Sequence, residues 1–295
     1  MKLATTFEEQ INILENRGLI IKSKKIVRLF LSRNNYYRFT GYVKLFEKEK
    51  DILMPNTTFE QVFEIYCFDS ELRGLLNIYL ARIEISAKTK IAYSLANNHS
   101  PLSYKDSSLF VNINRFNDLA QVIDKDIQNQ SQNESFIQHY GEEIPIWVAV
   151  EVFSFGLISR IFSSLNKPVQ NEITKLFLLK RSVITSDLHA LTTIRNICAH
   201  RGRLYDRHIS IYPSLSSKTR QLLTNKEYNY VGNNGKLFVS ICAMIELLNS
   251  KDEANEFIDR LNSLVSRYIN YLNLDCLGFP VCWKEILLEI NKNNQ

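Results

Sequence analysis

The stretch "FEQVFEIYCFDSELRGLLNIYLARIEISAKTKIAYSLA", residues 59–96, contains no proline and only one glycine, Gly74. Its apolar residues recur three and four positions apart, which is the period of one face of an α-helix. The segments "MPNTT" before it and "NNHSPLSYKDSS" after it contain proline, asparagine and serine, which are typical of a break and a loop. We therefore expect one long helix over residues 59–96.

The rest of the chain predicts more helices, since nine glycines and six prolines are few for 295 residues. "TTFEEQINILENRG" carries a capping box of Thr6 and Glu9 and the stop residue Gly18. "HISIYPSL" is compatible with a short extended segment, and "NYVGNNGK" with a turn. The remaining expected helices are one or two over 22–47, then about 113–128, 134–140, 145–165, 168–180, 187–200, 236–249 and 253–272, and a closing helix begun by Pro280. The prediction is an all-α fold, a helical bundle with an N-terminal helical extension (1–50) and a helical domain (51–295) that form one continuous compact unit.

The composition is that of a globular protein, with 45% hydrophobic and 23% charged residues. Glu8 and Glu9 interrupt any apolar region of a signal peptide. The longest apolar run, residues 241–248, is far too short to cross a bilayer. Five cysteines without CxxC spacing favour neither disulfides nor zinc. We expect a cytoplasmic protein with no membrane association.

A second stretch, "TTIRNICAHRGRLYDR" at residues 192–207, concentrates positive charge. Residues 195–207 hold four arginines against one aspartate, which supplies +3 of the formal net charge of +5. Clustered arginine indicates a phosphate-bearing partner, with Arg201, Arg203 and Arg207 as its expected contacts. A helix C-terminus also favours cations for its own sake, so charge alone leaves both interpretations open.

Helical spacing divides residues 184–200 into two faces. One arc holds Ile184, Leu188, Leu191, Ile194 and Cys198 and is expected to face the core. The opposite stripe holds His189, Thr193, Asn196 and His200 and carries no lysine or glutamate. Such a stripe indicates a surface covered by another helix, a second subunit or a ligand. His189 is expected to be a structural or surface residue rather than a chemical one. Cys198 points away from His200, which argues against a Cys–His nucleophile pair or a shared metal.

Arg195 and His200, separated by four residues, suit RNA cleavage without a metal. An imidazole can move a proton to or from the 2′-hydroxyl or the departing 5′-oxygen. A guanidinium can hold the phosphoryl oxygens as charge builds on them. One histidine cannot be base and acid in the same concerted step, so we expect two copies of the helix to pair about a two-fold axis. Asn196, one turn before His200, is a candidate for orienting the imidazole.

The segment "RNICAH" resembles the Arg–four residues–His motif of the HEPN superfamily of helical nucleases and RNA-binding proteins. The longer "IRNICAHRGRLYDR" resembles the motif of the Abi family of abortive-infection proteins. The matching positions are Arg195, Asn196, Cys198, Ala199, His200, Arg203, Leu204 and Arg207. Similar segments extend from about residue 7 to 288, among them "LSRNNYYRFTGY" and "GFPVCWKEIL".

This resemblance implies a HEPN-type helical fold and a toxin that defends bacteria against phage as an endoribonuclease. It further implies that Arg195 and His200 are catalytic at a homodimer interface, with no metal or cofactor. An antitoxin or a small regulatory RNA is a possible further partner.

Two other hypotheses stay open. The chain could be a non-catalytic RNA-binding or regulatory module in which His200 is structural. It could instead be an interaction protein that docks a partner through "NNYYRFTGY", although those tyrosines are more typical of packing residues.

Overall fold

The computed structural model describes residues 3–131, 139–140, 143–248 and 250–293. Helices dominate, and an antiparallel hairpin precedes the longest of them. In chain order the elements are α1 (Phe7–Asn16), α2 (Lys24–Arg33), α3 (Tyr36–Val43), β1 (Glu47–Glu49), β2 (Ile52–Leu53), α4 (Phe59–Asn98), α5 (Ile113–Ser131), α6 (Ile146–Val152), α7 (Phe155–Ser164), α8 (Lys167–Phe177), α9 (Arg181–Ala199), α10 (Ser217–Asn225), α11 (Tyr230–Asn233), α12 (Leu237–Leu247), α13 (Lys251–Tyr268) and α14 (Trp283–Asn293). The expected all-α fold class is confirmed.

Helix α4 is a single rod of 40 residues, about 60 Å long at about 1.5 Å per residue. A capping box begins it: the Thr58 hydroxyl accepts from the backbone N–H of Gln61, and the Gln61 side chain accepts from the backbone N–H of Thr58. The helix packs against α6, α9 and α13, which buries side chains on several of its sides. The long helix expected over 59–96 is confirmed, and it provides the base on which α9 lies.

The N-terminal helices pack onto α4 through aromatic rings. Asn35 caps α3 by accepting from the backbone N–H of Tyr37, which separates α2 from α3. Phe30 and Phe39 lie edge-on to each other, and both contact Phe59 and Tyr66 of α4. Because these rings are continuous with the rest of the buried apolar side chains, one hydrophobic core extends across the predicted boundary near residue 50.

The helix expected over 145–165 is instead two helices, α6 and α7. Phe153 is extended and buried between them, and the Ser154 hydroxyl caps α7 by accepting from the backbone N–H of Leu157. Apolar residues continue through the break on both sides, so periodicity does not reveal it.

Smaller differences occur elsewhere in the chain. Helix α10 was not expected, although Ser216 gives it an ordinary N-cap. Helix α9 begins at Arg181, earlier than the expected 187. Residues 208–215 are described throughout and form no strand. Most of the helix expected over 134–140 lies outside the described residues.

Candidate active site

Helix α9 presents the two faces that the sequence predicts. Its core arc, Ile184, Leu188, Leu191, Ile194 and Cys198, is buried. On the opposite side His189, Asn196 and His200 are exposed, and Thr193 is half-buried. The imidazole of His200 therefore reaches solvent instead of lying among hydrocarbon side chains.

The C-terminus of α9 fixes the backbone around His200. The N–H of His200 donates to the Asn196 carbonyl at 3.0 Å, and the N–H of Gly202 donates to the Ile197 carbonyl at 2.7 Å. With the bond from the Arg201 N–H to the Cys198 carbonyl at 3.0 Å, these contacts form a Schellman motif. Arg201 occupies the left-handed position of that motif, with φ 55°. Glycine is the usual residue there, because a side chain costs about 1–2 kcal/mol.

Gly202, the next residue, is closely packed. A Cβ at this position would lie 3.1 Å from Cγ2 of Ile197 and 3.3 Å from the Ile197 carbonyl oxygen. The turn after His200 is therefore tight, and it directs the chain back onto α4.

A buried carboxylate on α4 holds the returning chain. Asp69 accepts from the backbone N–H of Tyr205 at 2.8 Å and from that of Leu204 at 3.2 Å. It also accepts from the Tyr42 hydroxyl at 2.6 Å and pairs with Arg73, which lies one turn along α4. Burial, with the neighbouring Asp69 charge, raises the pKa of Tyr42, so its hydroxyl remains a donor. A buried ion pair is stable when its remaining lone pairs are satisfied in this way.

Arg195 extends from α9 toward α4. Its Nε lies 3.7 Å from Oε2 of Glu84, and its Nη1 donates to Oδ1 of Asn196 at 3.4 Å. Glu84 also pairs with Lys88 at 3.2 Å. The Arg195 side chain is 38% exposed, so solvent reaches the guanidinium despite this ion pair.

The three predicted RNA contacts have different surroundings. Arg203 is half-buried, and its Nη1 donates to the Gly41 carbonyl of α3 at 2.6 Å. Arg201 and Arg207 are exposed, and Arg207 donates to the Arg203 carbonyl at 3.4 Å. Arg203 thus joins the motif to the N-terminal helices, while Arg201 and Arg207 keep their guanidinium groups at the surface.

Cys198 is a core residue, as its place on the core arc of α9 predicts. Burial raises the pKa of its thiol to about 12, so the thiol stays protonated and is a poor nucleophile. Within the described ranges, no three His, Cys, Asp or Glu side chains are grouped as metal ligands would be.

At the C-terminal end of α9 lies a groove that we call the arginine groove. It encloses about 460 Å³ between α2, α3, α4 and the end of α9. Its lining residues are Arg33, Asn34, Asn35, Arg38, Tyr66, Ser70, Arg73, Gly74, Asn77, Cys198, Ala199 and Arg201. Of these residues, only Arg201 was predicted from the sequence to contact RNA.

Comparison with known protein families assigns the chain. The family model of Abi-like proteins matches residues 29–206, which is more than half of the chain. The chain belongs to this family. Membership associates it with abortive infection, a defence against phage. The match is narrower than the resemblance noted over 7–288, but it includes all of α4, α9 and the arginine groove.

No curated protein and no solved structure was found to match this Abi-like chain. Among its described residues, no helix is both long and apolar enough to cross a membrane.

Proposed function

We propose that this Abi-like protein is a metal-independent endoribonuclease of the HEPN type that acts in the cytoplasm. The observation that supports this most is the exposed His200 at a rigid helix end, followed by exposed arginines. The partly exposed guanidinium of Arg195 lies on the same helix. Exposed, fixed groups of this kind can meet a phosphodiester without any unfolding of the core.

In the proposed reaction, the 2′-oxygen of the RNA bonds to phosphorus as the bond from phosphorus to the 5′-oxygen breaks. His200 of one copy takes the 2′-hydroxyl proton, and His200 of a second copy gives a proton to the 5′-oxygen. Arg195 stabilises the phosphoryl oxygens as their negative charge increases. Asn196, the candidate for orienting the imidazole, accepts from Arg195 through its amide oxygen, so we assign it instead to positioning that guanidinium. The products are a 2′,3′-cyclic phosphate and a 5′-hydroxyl.

The same proposal requires a homodimer through α9. The exposed stripe of His189, Asn196 and His200 carries no lysine or glutamate, so a second copy of the stripe could cover it without burying unpaired long charged side chains. An antitoxin or a small regulatory RNA is proposed as the partner that restrains the enzyme.

The test uses the purified full chain, end-labelled RNA and EDTA. We expect cleavage in EDTA with 2′,3′-cyclic phosphate ends, and its loss by a factor of at least about 100 in His200→Ala, since general acid–base catalysis typically contributes 10²–10⁴-fold. His99→Ala is the control, because His99 is an exposed histidine at the end of α4, outside the stripe, and it should retain activity. Undiminished cleavage by His200→Ala would falsify this mechanism.

A second candidate function is RNA binding without cleavage, and the ion pair between Arg195 and Glu84 favours it. That pair occupies the guanidinium that the nuclease needs for the phosphate. Glu84→Gln discriminates the two functions. It should increase cleavage if Arg195 is catalytic, and it should leave the RNA intact if the protein only binds.

A further inference from the structure

The arginine groove has a use beyond the proposed catalytic pair. We propose that it binds the backbone of single-stranded RNA next to the scissile bond, with Arg33, Arg38 and Arg201 as the phosphate contacts. This inference rests on the proposed function, because it names the path of the substrate toward His200.

The charges of the groove are unbalanced. Arg33, Arg38 and Arg201 are exposed, and no carboxylate among the described residues lies within 4.0 Å of their guanidinium nitrogens. The groove lining contains no aspartate or glutamate. Arg73 differs, since Asp69 neutralises it in the core. Three uncompensated cations around one cleft repel each other, and a polyanion in the cleft removes that repulsion.

The backbone also favours a ligand at this place. Arg201 adopts the left-handed conformation that glycine normally takes. Its carbonyl accepts a hydrogen bond from the Arg38 guanidinium, which links α3 to the end of α9. Such strain is found at functional sites, and Arg201 is one of seven described residues other than glycine with a positive φ.

The floor of the groove is open and polar. A Cβ added to Gly74 of α4 would meet no atom within 4 Å, so the helix backbone itself forms part of the floor. Ser70 and Asn77 flank it on the same helix. Tyr37, which precedes Arg38 in the chain, is 85% exposed but does not line the groove. A positively charged groove that follows the backbone is the usual arrangement for single-stranded nucleic acid.

The position of the groove connects it with the proposed reaction. Ala199 and Arg201, the two neighbours of His200 in the chain, both line it. His200 itself does not line the groove, so a strand in the groove reaches the imidazole only by continuing around the end of α9. The volume of about 460 Å³ is that of a small-ligand cleft, which suits a nucleotide-sized part of a strand.

The experiment measures binding of a fluorescein-labelled oligouridine by anisotropy at several salt concentrations. The full chain carries His200→Ala throughout, so that the oligonucleotide is not cut. Adding Arg33→Ala and Arg38→Ala should lower the affinity for RNA about 25-fold at about 0.1 M salt. The slope of log K against log salt should become less steep by about 1.4, because each contact with a phosphate of a single strand contributes about 0.7 to that slope. Arg160→Ala, which removes an exposed arginine of α7, is the control and should change neither quantity.

Gly74 provides a second pair of variants. Gly74→Glu places a carboxylate in the groove and should weaken binding at least as much as the double arginine variant. Gly74→Ala adds a methyl group in open space and should bind normally. A duplex of the same length should bind more weakly than the single strand.

The outcomes separate the two proposals. Unchanged RNA affinity and salt slope in both the arginine and the Gly74→Glu variants would overturn the proposal that the groove binds RNA, even if His200→Ala abolishes cleavage. Tighter binding of the duplex would also overturn it. If the groove variants weaken binding while His200→Ala still cuts RNA, the groove is supported and the catalytic role of His200 is wrong.

Discussion

Replacing Arg201 with glycine separates the backbone and the side chain of this residue, which have opposite effects. The backbone at φ 55° is unfavourable for an arginine by about 1–2 kcal/mol relative to glycine. Glycine loses about 0.5–1 kcal/mol through the greater freedom of the unfolded chain. The Arg201 side chain is exposed and has no carboxylate partner, so its removal costs little packing. Arg201→Gly should therefore raise the free energy of unfolding by about 0.5–1 kcal/mol.

The same variant should bind RNA more weakly. Loss of one phosphate contact lowers the affinity about fivefold at about 0.1 M salt and the salt slope by about 0.7. Stability is measured by thermal unfolding followed by circular dichroism. A gain of about 0.5–1 kcal/mol corresponds to about 1–2 °C, since the entropy of unfolding is about 2.1 cal/mol/K per residue.

Arg201→Ala is the matched control, because it removes the guanidinium and keeps a Cβ in the left-handed conformation. It should bind RNA as weakly as Arg201→Gly and show no increase in stability. Two results would refute the reasoning: a glycine variant less stable than the wild type, or a glycine variant of higher stability with full RNA affinity. The first result would show that the backbone of Arg201 is not strained. The second would show that its side chain does not contribute to RNA binding.

Two further predictions concern buried carboxylates. Asp69→Asn leaves Arg73 without its buried counter-charge, and should lower the free energy of unfolding in urea by about 3–5 kcal/mol. The control Tyr42→Phe loses one hydrogen bond to Asp69 and should lower it by about 1 kcal/mol. Equal losses of stability in the two variants would contradict the anchoring role of Asp69. Burial, with the nearby charge of Glu246, raises the pKa of Asp187 well above its ordinary range. The unfolded state then loses its proton first, so Asp187 lowers the stability of the wild type as pH rises above about 4, by up to about 1.4 kcal/mol per pH unit. Asp187→Asn should remove this slope, and parallel pH–stability curves for the two proteins between about pH 4 and 8 would show that Asp187 is not held protonated.

Local signals in the sequence were sufficient for most helices and for the faces of α9. Capping residues and apolar spacing act over a few positions, so α1 and α4 could be read directly. The break at Ser154 was missed because the apolar residues on both sides are buried alike. The cap at Ser216 was a signal that could have predicted α10.

The candidate site was predicted in part for the same reason. The exposure of His200 follows from its place on one helix. The convergence of Arg33 and Arg38 on the end of α9 depends on tertiary packing between segments more than 160 positions apart, and no local pattern encodes it. Asp69 and Arg73 are a charged pair one turn apart in an apolar helix, which is a signal of a buried ion pair that the sequence already contains.

The bond from Arg203 to the Gly41 carbonyl limits how this protein can be shortened. A fragment that starts after residue 50 would lack that carbonyl, the wall of α2 and α3, and the rings that cover Phe59 and Tyr66. Truncation to the motif-bearing part would therefore uncover apolar surface and release the chain that follows His200. The N-terminal helices are a structural component of the site, and any excised fragment meant to retain its properties must begin ahead of Arg33.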